Sequence, residues 1–359
     1  MLGISVYIGE QSVEEQSTYI KKMNEKGFTS IFTSLHIPEE DPAMYKHQLQ
    51  ALGKIAKQLN MELMVDISPT SLITLGFDWE TASELVNWGL TGLRVDYGID
   101  EDTIVYLSKE MKVALNASTL TPHVLETLKQ KGLDISMVEA WHNFYPRPET
   151  GIGWDDFIKK NRWLKQEGLS VMAFIPGDEK LRGPIFATLP TLEAHRSTSP
   201  FAAYLELSHK GMVDKILIGD RGVSDRTFEQ FSGYQKNEIL LHVTPNPAIP
   251  QLGVDLVKGT HTNRVDRARD CIRSVESRQY ASIGAMKIVP VNCVERCIGS
   301  ITIDNEHYQR YQGEVQITTR DLPKDRRVNV IGRVVPQDRM LLKWIAGGQR
   351  FTIKLLSND

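Results

Sequence analysis

The chain has 359 residues and a mass of 40.6 kDa, more than one module of ~100–200 residues, which points to two domains. Hydrophobic residues at 41% and charged residues at 24% argue against a disordered chain. A formal charge of -3 with pI ≈ 6.3 argues against a general affinity for nucleic acid or anionic membrane.

In chain order, the first residues, Met1-Leu2-Gly3-Ile4-Ser5-Val6-Tyr7, lack the basic and apolar regions of a signal peptide. No apolar run reaches the ~18 residues of a bilayer crossing. Three cysteines (Cys271, Cys293, Cys297) cannot form a closed disulfide framework. The expectation is a soluble cytoplasmic protein.

Residues 1–235 then repeat one unit, a β-branched or apolar run followed by an amphipathic helical pattern. The expected strands are Gly3–Gly9, Thr29–Leu35, Glu62–Ser68, Gly92–Gly98, Lys112–Ser118, Ile135–Asn143, Ser170–Gly177 and Lys215–Asp220. Between them the spacing predicts helices over Val13–Lys26, Pro42–Leu59, Trp79–Asn87, Glu101–Lys109, Pro122–Gln130, Trp154–Gln166 and Pro200–His209. Gly27 and Gly132 stand where helices stop. Near-continuous apolar strands joined by helices imply a parallel sheet covered on both faces. Eight units of about 30 residues fit an α/β fold of the TIM type, a closed (β/α)8 barrel. No Gly-x-Gly-x-x-Gly turn follows the first strand, so a dinucleotide fold has little support.

In such a barrel chemistry belongs at the C-terminal ends of the strands. Polar residues collect there: Glu10, Ser34 and His36, Asp66 and Ser68, Arg94 and Asp96, Asn116 and Ser118, then Glu139, His142 and Asn143. Asp178 follows strand seven, and Asp220-Arg221-Gly222 ends strand eight. Each has a structural reading as well. An Asp at a strand end also caps the next helix, Arg94 with Asp96 also makes an internal ion pair, and His142 alone reads better as a hydrogen-bonded core histidine. The convergence of so many polar groups on one rim favours a site, because burying them without water or ligand is costly.

After residue 236 the alternation ends. Glu238–Thr244, Ser300–Asp304, Gly313–Thr319, Val328–Val335 and Phe351–Leu355 read as strands, and Arg264–Ser277 as a helix. This gives a barrel domain, 1–236, and a small, mostly antiparallel β domain, 237–359, closed or nearly closed. Thirteen of the 20 arginines fall in this last part. Most make a solvated charged face, from which a subset can hold an anionic group at the barrel mouth.

Metal-ligand spacing is absent, and no cofactor is expected. There is neither a Gly-x-Ser-x-Gly elbow nor a Walker loop. The segment Asp220–Asp225 has phosphate potential, since Gly222 allows close backbone approach and Ser224 can cap a helix. The long Pro176–Pro200 segment has the length of a lid or binding loop.

The string Glu139-Ala140-Trp141-His142-Asn143-Phe144-Tyr145-Pro146-Arg147-Pro148-Glu149-Thr150-Gly151 resembles the bacterial MupG-like 6-phospho-N-acetylmuramidases. So do Arg182-Gly183-Pro184 with Leu189-Pro190-Thr191-Leu192-Glu193, and Gly299-Ser300-Ile301-Thr302-Ile303-Asp304-Asn305. The resemblance implies a barrel followed by a cyclophilin-like β domain. It also implies hydrolysis of a phosphorylated amino-sugar disaccharide, N-acetylmuramic acid 6-phosphate–N-acetylglucosamine, in peptidoglycan recovery.

It assigns no catalytic pair, so the residues themselves must. Glycoside cleavage needs an acid at the leaving oxygen and a second group at the anomeric carbon, unless the substrate's acetamido group attacks. Glu139 is the first choice for acid/base and Asp96 for its partner, with Asp66 and Asp178 in reserve. Glu10, a weaker reserve, is grouped with Arg94, Asn116, His142 and Asn143 as substrate-binding. Arg147, Arg182 and Arg221 are candidates for the phosphate and the lactyl carboxylate. The rival readings are a sugar-phosphate lyase or isomerase on the same barrel and a phosphosugar-binding protein without catalysis.

Overall fold

A computed structural model describes residues 1–9, 12–35, 42–95, 98–247, 251–278 and 287–356. The chain divides into two compact units, Met1–Ser224 and Asp225–Asp359.

The first unit is the expected barrel. Its strands are β1 (Leu2–Ser5), β2 (Phe28–Ser34), β3 (Glu62–Ile67), β4 (Gly92–Val95), β5 (Lys112–Asn116), β6 (Val138–Trp141), β7 (Ser170–Ile175) and β8 (Lys215–Ile218). They pair in parallel in chain order, and β8 returns to β1 to close the ring. Helices α1 (Val13–Asn24), α2 (Pro42–Gln58), α3 (Pro69–Thr74), α4 (Glu101–Glu110), α5 (Pro122–Gln130), α6 (Trp154–Gln166) and α7 (Pro200–Lys210) lie between strands.

Local chemistry starts and stops these helices. Ser12 and Glu15 form a reciprocal capping box at α1. Asp100, Thr121 and Ser199 cap α4, α5 and α7, with proline in the first turn of the last two. Gly27 and Gly132 end turns with φ of 81° and 91°, a region that favours glycine.

Apart from strand ends, several of which fall two to four residues earlier than expected, two expected elements differ. Trp79–Asn87 is not an α-helix: a 3-10 turn covers Ala82–Trp88, and α3 precedes it. Strand six is shorter than Ile135–Asn143, because Ile135–Met137 forms a 3-10 turn capped by Asp134.

Side chains alternate along each strand, so every second residue faces the barrel interior. Phe32, Met64, Ala114, Trp141, Met172, Phe174 and Leu217 fill its middle, with Phe144 packed against them. The Phe32 and Phe174 rings meet edge-on at 5.3 Å, and Trp141 lies 5.8 Å from Phe32. This aromatic plug divides the interior into two polar ends.

The second unit opens with α8 (Asp225–Tyr234). Its strands are β9 (Glu238–Pro245), β10 (Gly259–Thr262), β11 (Cys271–Arg273), β12 (Ser300–Asp304), β13 (Val315–Thr318), β14 (Val328–Val334) and β15 (Arg350–Leu355), and a short helix, α9 (Gln251–Val257), precedes β10. The sheet order is β10-β15-β9-β14-β12-β13-β11. Among the described residues, only the β15–β9 pairing of this sheet is parallel. A bridge between Asn263 and Ser274, supported by Val275 N–H to Thr262 O at 2.9 Å, links the two edge strands. The sheet is therefore nearly closed, as expected for the small β domain.

The helix expected over Arg264–Ser277 does not form. Cys271–Arg273 is a strand paired with β13, and Arg264 and Arg273 share Asp266 while Arg269 holds Asp270. These arginines form the charged face of their own segment. Among the described residues, no helix is long and apolar enough to cross a membrane.

Candidate functional site

The two polar ends of the barrel interior have different chemistry. Where the strands begin, Glu62, Lys112, Glu139 and Lys215 form a closed ion cluster. Lys215 Nζ lies 2.8 Å from Glu139 Oε2 and 2.7 Å from Glu62 Oε2; Lys112 contacts both carboxylates, Glu139 at 3.2 Å. The Trp141 indole N–H donates to Glu139 at 2.7 Å. Burial works against ionised Glu62, yet Lys215 and Lys112 hold its carboxyl below the usual range. Lys112 is pushed up despite its burial, because Glu62 and Glu139 favour its charge.

This placement corrects the reading of Glu139 as a rim residue. It is the second residue of β6, on the strand-start side of the Trp141 plug. Its hydrogen bonds go to two lysines and an indole, which suits a structural carboxylate.

The opposite level lies two residues further along each strand, roughly 6–7 Å from the plug. Asp66 and Arg94 are neighbours across the β3–β4 pairing, and Arg94 Nη1 lies 2.7 Å from Asp66 Oδ1. Arg94 Nη2 donates to Asn143 Oδ1 at 2.5 Å, and Ser34 Oγ lies 3.5 Å from Asp66 Oδ2. Both charged groups are buried, at 8% and 5% exposure. Asn116, also buried, accepts the Ser118 N–H. This level thus brings Asp66, Arg94, Asn116 and Asn143 to the strand C-terminal ends, where barrel enzymes hold substrate. Asp96, Glu10 and His36 lie outside the described residues.

His142 does not join them. Alternation turns it outward from Trp141, and its Nε2 lies 2.6 Å from Asn161 Oδ1 on α6. Burial pushes its pKa down to about 4, although the Asn161 contact opposes this. It is the core histidine of the structural reading.

The loops above the strand ends are tied together. Asp178 accepts Ser224 N–H at 2.6 Å and Ser224 Oγ–H at 2.7 Å. Arg221 donates to the carbonyls of Lys180 and Leu181. Arg196 grips Glu193 through two nitrogens and donates to the carbonyls of Ala187, Thr188 and Tyr145. Glu193 also accepts the N–H groups of Glu149 and Gly151, both at 2.8 Å. Arg196 and these N–H groups hold its pKa down at about 2. Arg147, on the loop after β6, is exposed.

Tyr7 was not singled out from the sequence, and Asp220 only as part of the strand-eight end and of the Asp220–Asp225 phosphate segment. Tyr7 is buried beneath Arg182, whose guanidinium carbon sits 3.8 Å from the ring centroid. Asp220 is fully buried and accepts the N–H groups of Gly177, Arg182 and Leu189. A usable signal existed for Tyr7, which continues the inward Gly3, Ser5 alternation of β1. Among the described residues no group of three or more His, Cys, Asp or Glu side chains could hold a metal ion.

Comparison with known proteins matches the sequence pattern of 6-phospho-N-acetylmuramidase N-terminal regions to residues 2–233 and that of C-terminal regions to residues 239–354. A conserved Enterococcus faecalis protein of unknown function is similar in structure, with 46% identity and a TM-score of 0.90, over 99% of this chain and 96% of its own. An uncharacterized B. cereus protein is 26% identical with a TM-score of 0.73, over 98% and 99%. No curated protein matches. The chain belongs to the 6-phospho-N-acetylmuramidase family.

Proposed function

We propose, from membership of the 6-phospho-N-acetylmuramidase family, that this protein hydrolyses N-acetylmuramic acid 6-phosphate–N-acetylglucosamine during cytoplasmic recovery of peptidoglycan fragments. The observation that carries the reading is the polar level of Asp66, Arg94, Asn116 and Asn143 at the strand C-terminal ends. A carboxylate beside a guanidinium is suited to the positive charge that develops at the anomeric carbon, or to orienting the substrate's acetamido group. We assign that role to Asp66, positioned by Arg94, and draw the acid from Asp178 or Asp96, the acidic residues that follow strands seven and four. Asn116 and Asn143 supply amide groups for sugar hydroxyls.

A Schiff-base lyase has less support. The barrel's interior lysines, Lys112 and Lys215, are at the strand starts and engaged by Glu62 and Glu139. The experiment is incubation with the phosphorylated disaccharide, following by NMR the anomer of N-acetylmuramic acid 6-phosphate first released. The reading expects both monosaccharides and one initial anomer. Intact disaccharide, or an eliminated rather than hydrolysed product, overturns it.

A further inference from the structure

We propose that Arg182, laid over Tyr7 and fixed through Asp220, grips the phosphate of the substrate, with Asp220 as its positioning residue. This rests on the proposed use of a phosphorylated amino sugar, and names the residues that read its phosphate.

The argument starts with a carboxylate that meets no solvent. Asp220 is 0% exposed and lies two residues beyond the end of β8. Its oxygens accept the N–H of Gly177 at 2.8 Å, of Leu189 at 3.0 Å and of Arg182 at 3.1 Å. These donors are spread over the first half of the loop after β7, so one side chain ties its residues 177–189 together. Gly177 makes this possible: a Cβ there would lie 2.4 Å from Gly222 O and 2.6 Å from Asp220 Cβ. Arg221 secures the same loop by donating to Lys180 and Leu181, and Glu179 bridges Gly222.

Tyr7 forms the floor beneath Arg182. Its hydroxyl donates to Gly219 O at 2.6 Å, which holds the ring across the β1–β8 seam. The Arg182 guanidinium lies over the Tyr7 ring, and the N–H groups of a guanidinium lie in its own plane, the geometry in which arginine meets phosphate oxygens. A guanidinium already stacked loses less side-chain freedom on binding than a mobile one. Loops after strands seven and eight are also the frequent phosphate position in barrels of this type.

Three other arginines of the barrel have duties of their own. Arg221 and Arg196 are turned to loop carbonyls, and Arg94 serves Asp66 and Asn143. Asp220 would repel an anion were it open to the site, but it is buried and its charge is met by three N–H dipoles.

The test measures calorimetric binding of N-acetylmuramic acid 6-phosphate and of N-acetylmuramic acid to the full chain. Wild type should prefer the phosphorylated sugar. Arg182→Ala should weaken that sugar roughly ten- to hundred-fold and leave the unphosphorylated one unchanged. Arg182→Lys should recover only part of the loss, since lysine lacks the planar fork. Asp220→Asn, verified as folded by its melting curve, should raise KM for the phosphorylated disaccharide while kcat stays within about threefold. Should Asp220→Asn not fold, the two Arg182 variants decide. A phosphate preference that survives Arg182→Ala, or equal weakening of both sugars, overturns the proposal. Wild-type binding that depends on Arg182, without cleavage of the disaccharide, would refute the hydrolase reading and leave this one standing.

Discussion

Glu139→Gln separates the structural reading of the strand-start cluster from a catalytic one. In the wild type, Glu139 accepts from Lys215 at 2.8 and 3.0 Å, from Lys112 at 3.2 Å and from Trp141 at 2.7 Å. The Lys215 side chain is only 5% exposed, so it cannot turn to water when its partner is lost. Breaking a buried pair by removing one charge costs about 3–5 kcal/mol. Glu62 still serves both lysines, which places this variant near ~3 kcal/mol, the lower end of that range. At roughly 2–4 °C per kcal/mol for a unit of this size, the barrel should melt about 6–12 °C lower. Calorimetric melting gives the stability, and turnover of the phosphorylated disaccharide well below the transition gives the chemistry. The expected result is a lower Tm with kcat near wild type. A double cycle with Lys215→Met should show coupling, since the two groups touch. An unchanged Tm with turnover down ~100-fold, the loss expected for a general acid, would refute the placement and return Glu139 to the active site.

Asp66→Asn should lower kcat by at least ~100-fold per folded molecule, as for a carboxylate acting in the transition state; activity near wild type would remove Asp66 from that role. Glu193, held down at about 2 by Arg196 and the N–H groups of Glu149 and Gly151, contributes stability fully present above the ordinary carboxylate range and lost as pH falls toward 2. Glu193→Gln should therefore flatten the acid limb of a Tm-against-pH curve, and an unaltered limb would contradict the assignment. Asp304 is the reverse case, pushed up to about 7 by burial and by Glu314 and Asp325. Its folded form keeps its proton where the unfolded chain has lost it, so stability falls as pH rises from about 4 to about 7. Asp304→Asn should raise the melting temperature of the β domain at pH 8 and change little at pH 4; equal effects at both would show that its ionisation is not involved.

What could be read from the chain alone was local and periodic. The β/α alternation, the stops Gly27 and Gly132, and the change after residue 236 all depend on neighbours in sequence. Most of those elements formed where their patterns stood, the helix expected over Trp79–Asn87 excepted, and Pro122–Gln130 and Trp154–Gln166 kept their expected ends. The pattern over Arg264–Ser277 misled because its arginines are satisfied by Asp266 and Asp270 nearby, which an extended segment allows as well as a helix. Alternation along a strand is local too, and it puts Glu139 and Trp141 on one face of β6.

Height along the barrel axis was not legible. Beginning strand six at Ile135 moved Glu139 toward the rim, whereas the turn at Ile135–Met137 starts the strand at Val138 and leaves Glu139 beside Lys112 and Lys215. Which carboxylate meets which cation depends on the stagger of eight strands, a property of the closed ring that no single strand encodes. The same holds for Asp220, whose donors at Gly177, Arg182 and Leu189 come from another loop. Composition, periodicity and caps thus determined the barrel and its β companion, because each element satisfies its own backbone and apolar face. Only tertiary closure decided which charged residues meet at the strand starts and which at the strand C-terminal ends, because that choice is made by side chains distant in sequence at one level of the ring.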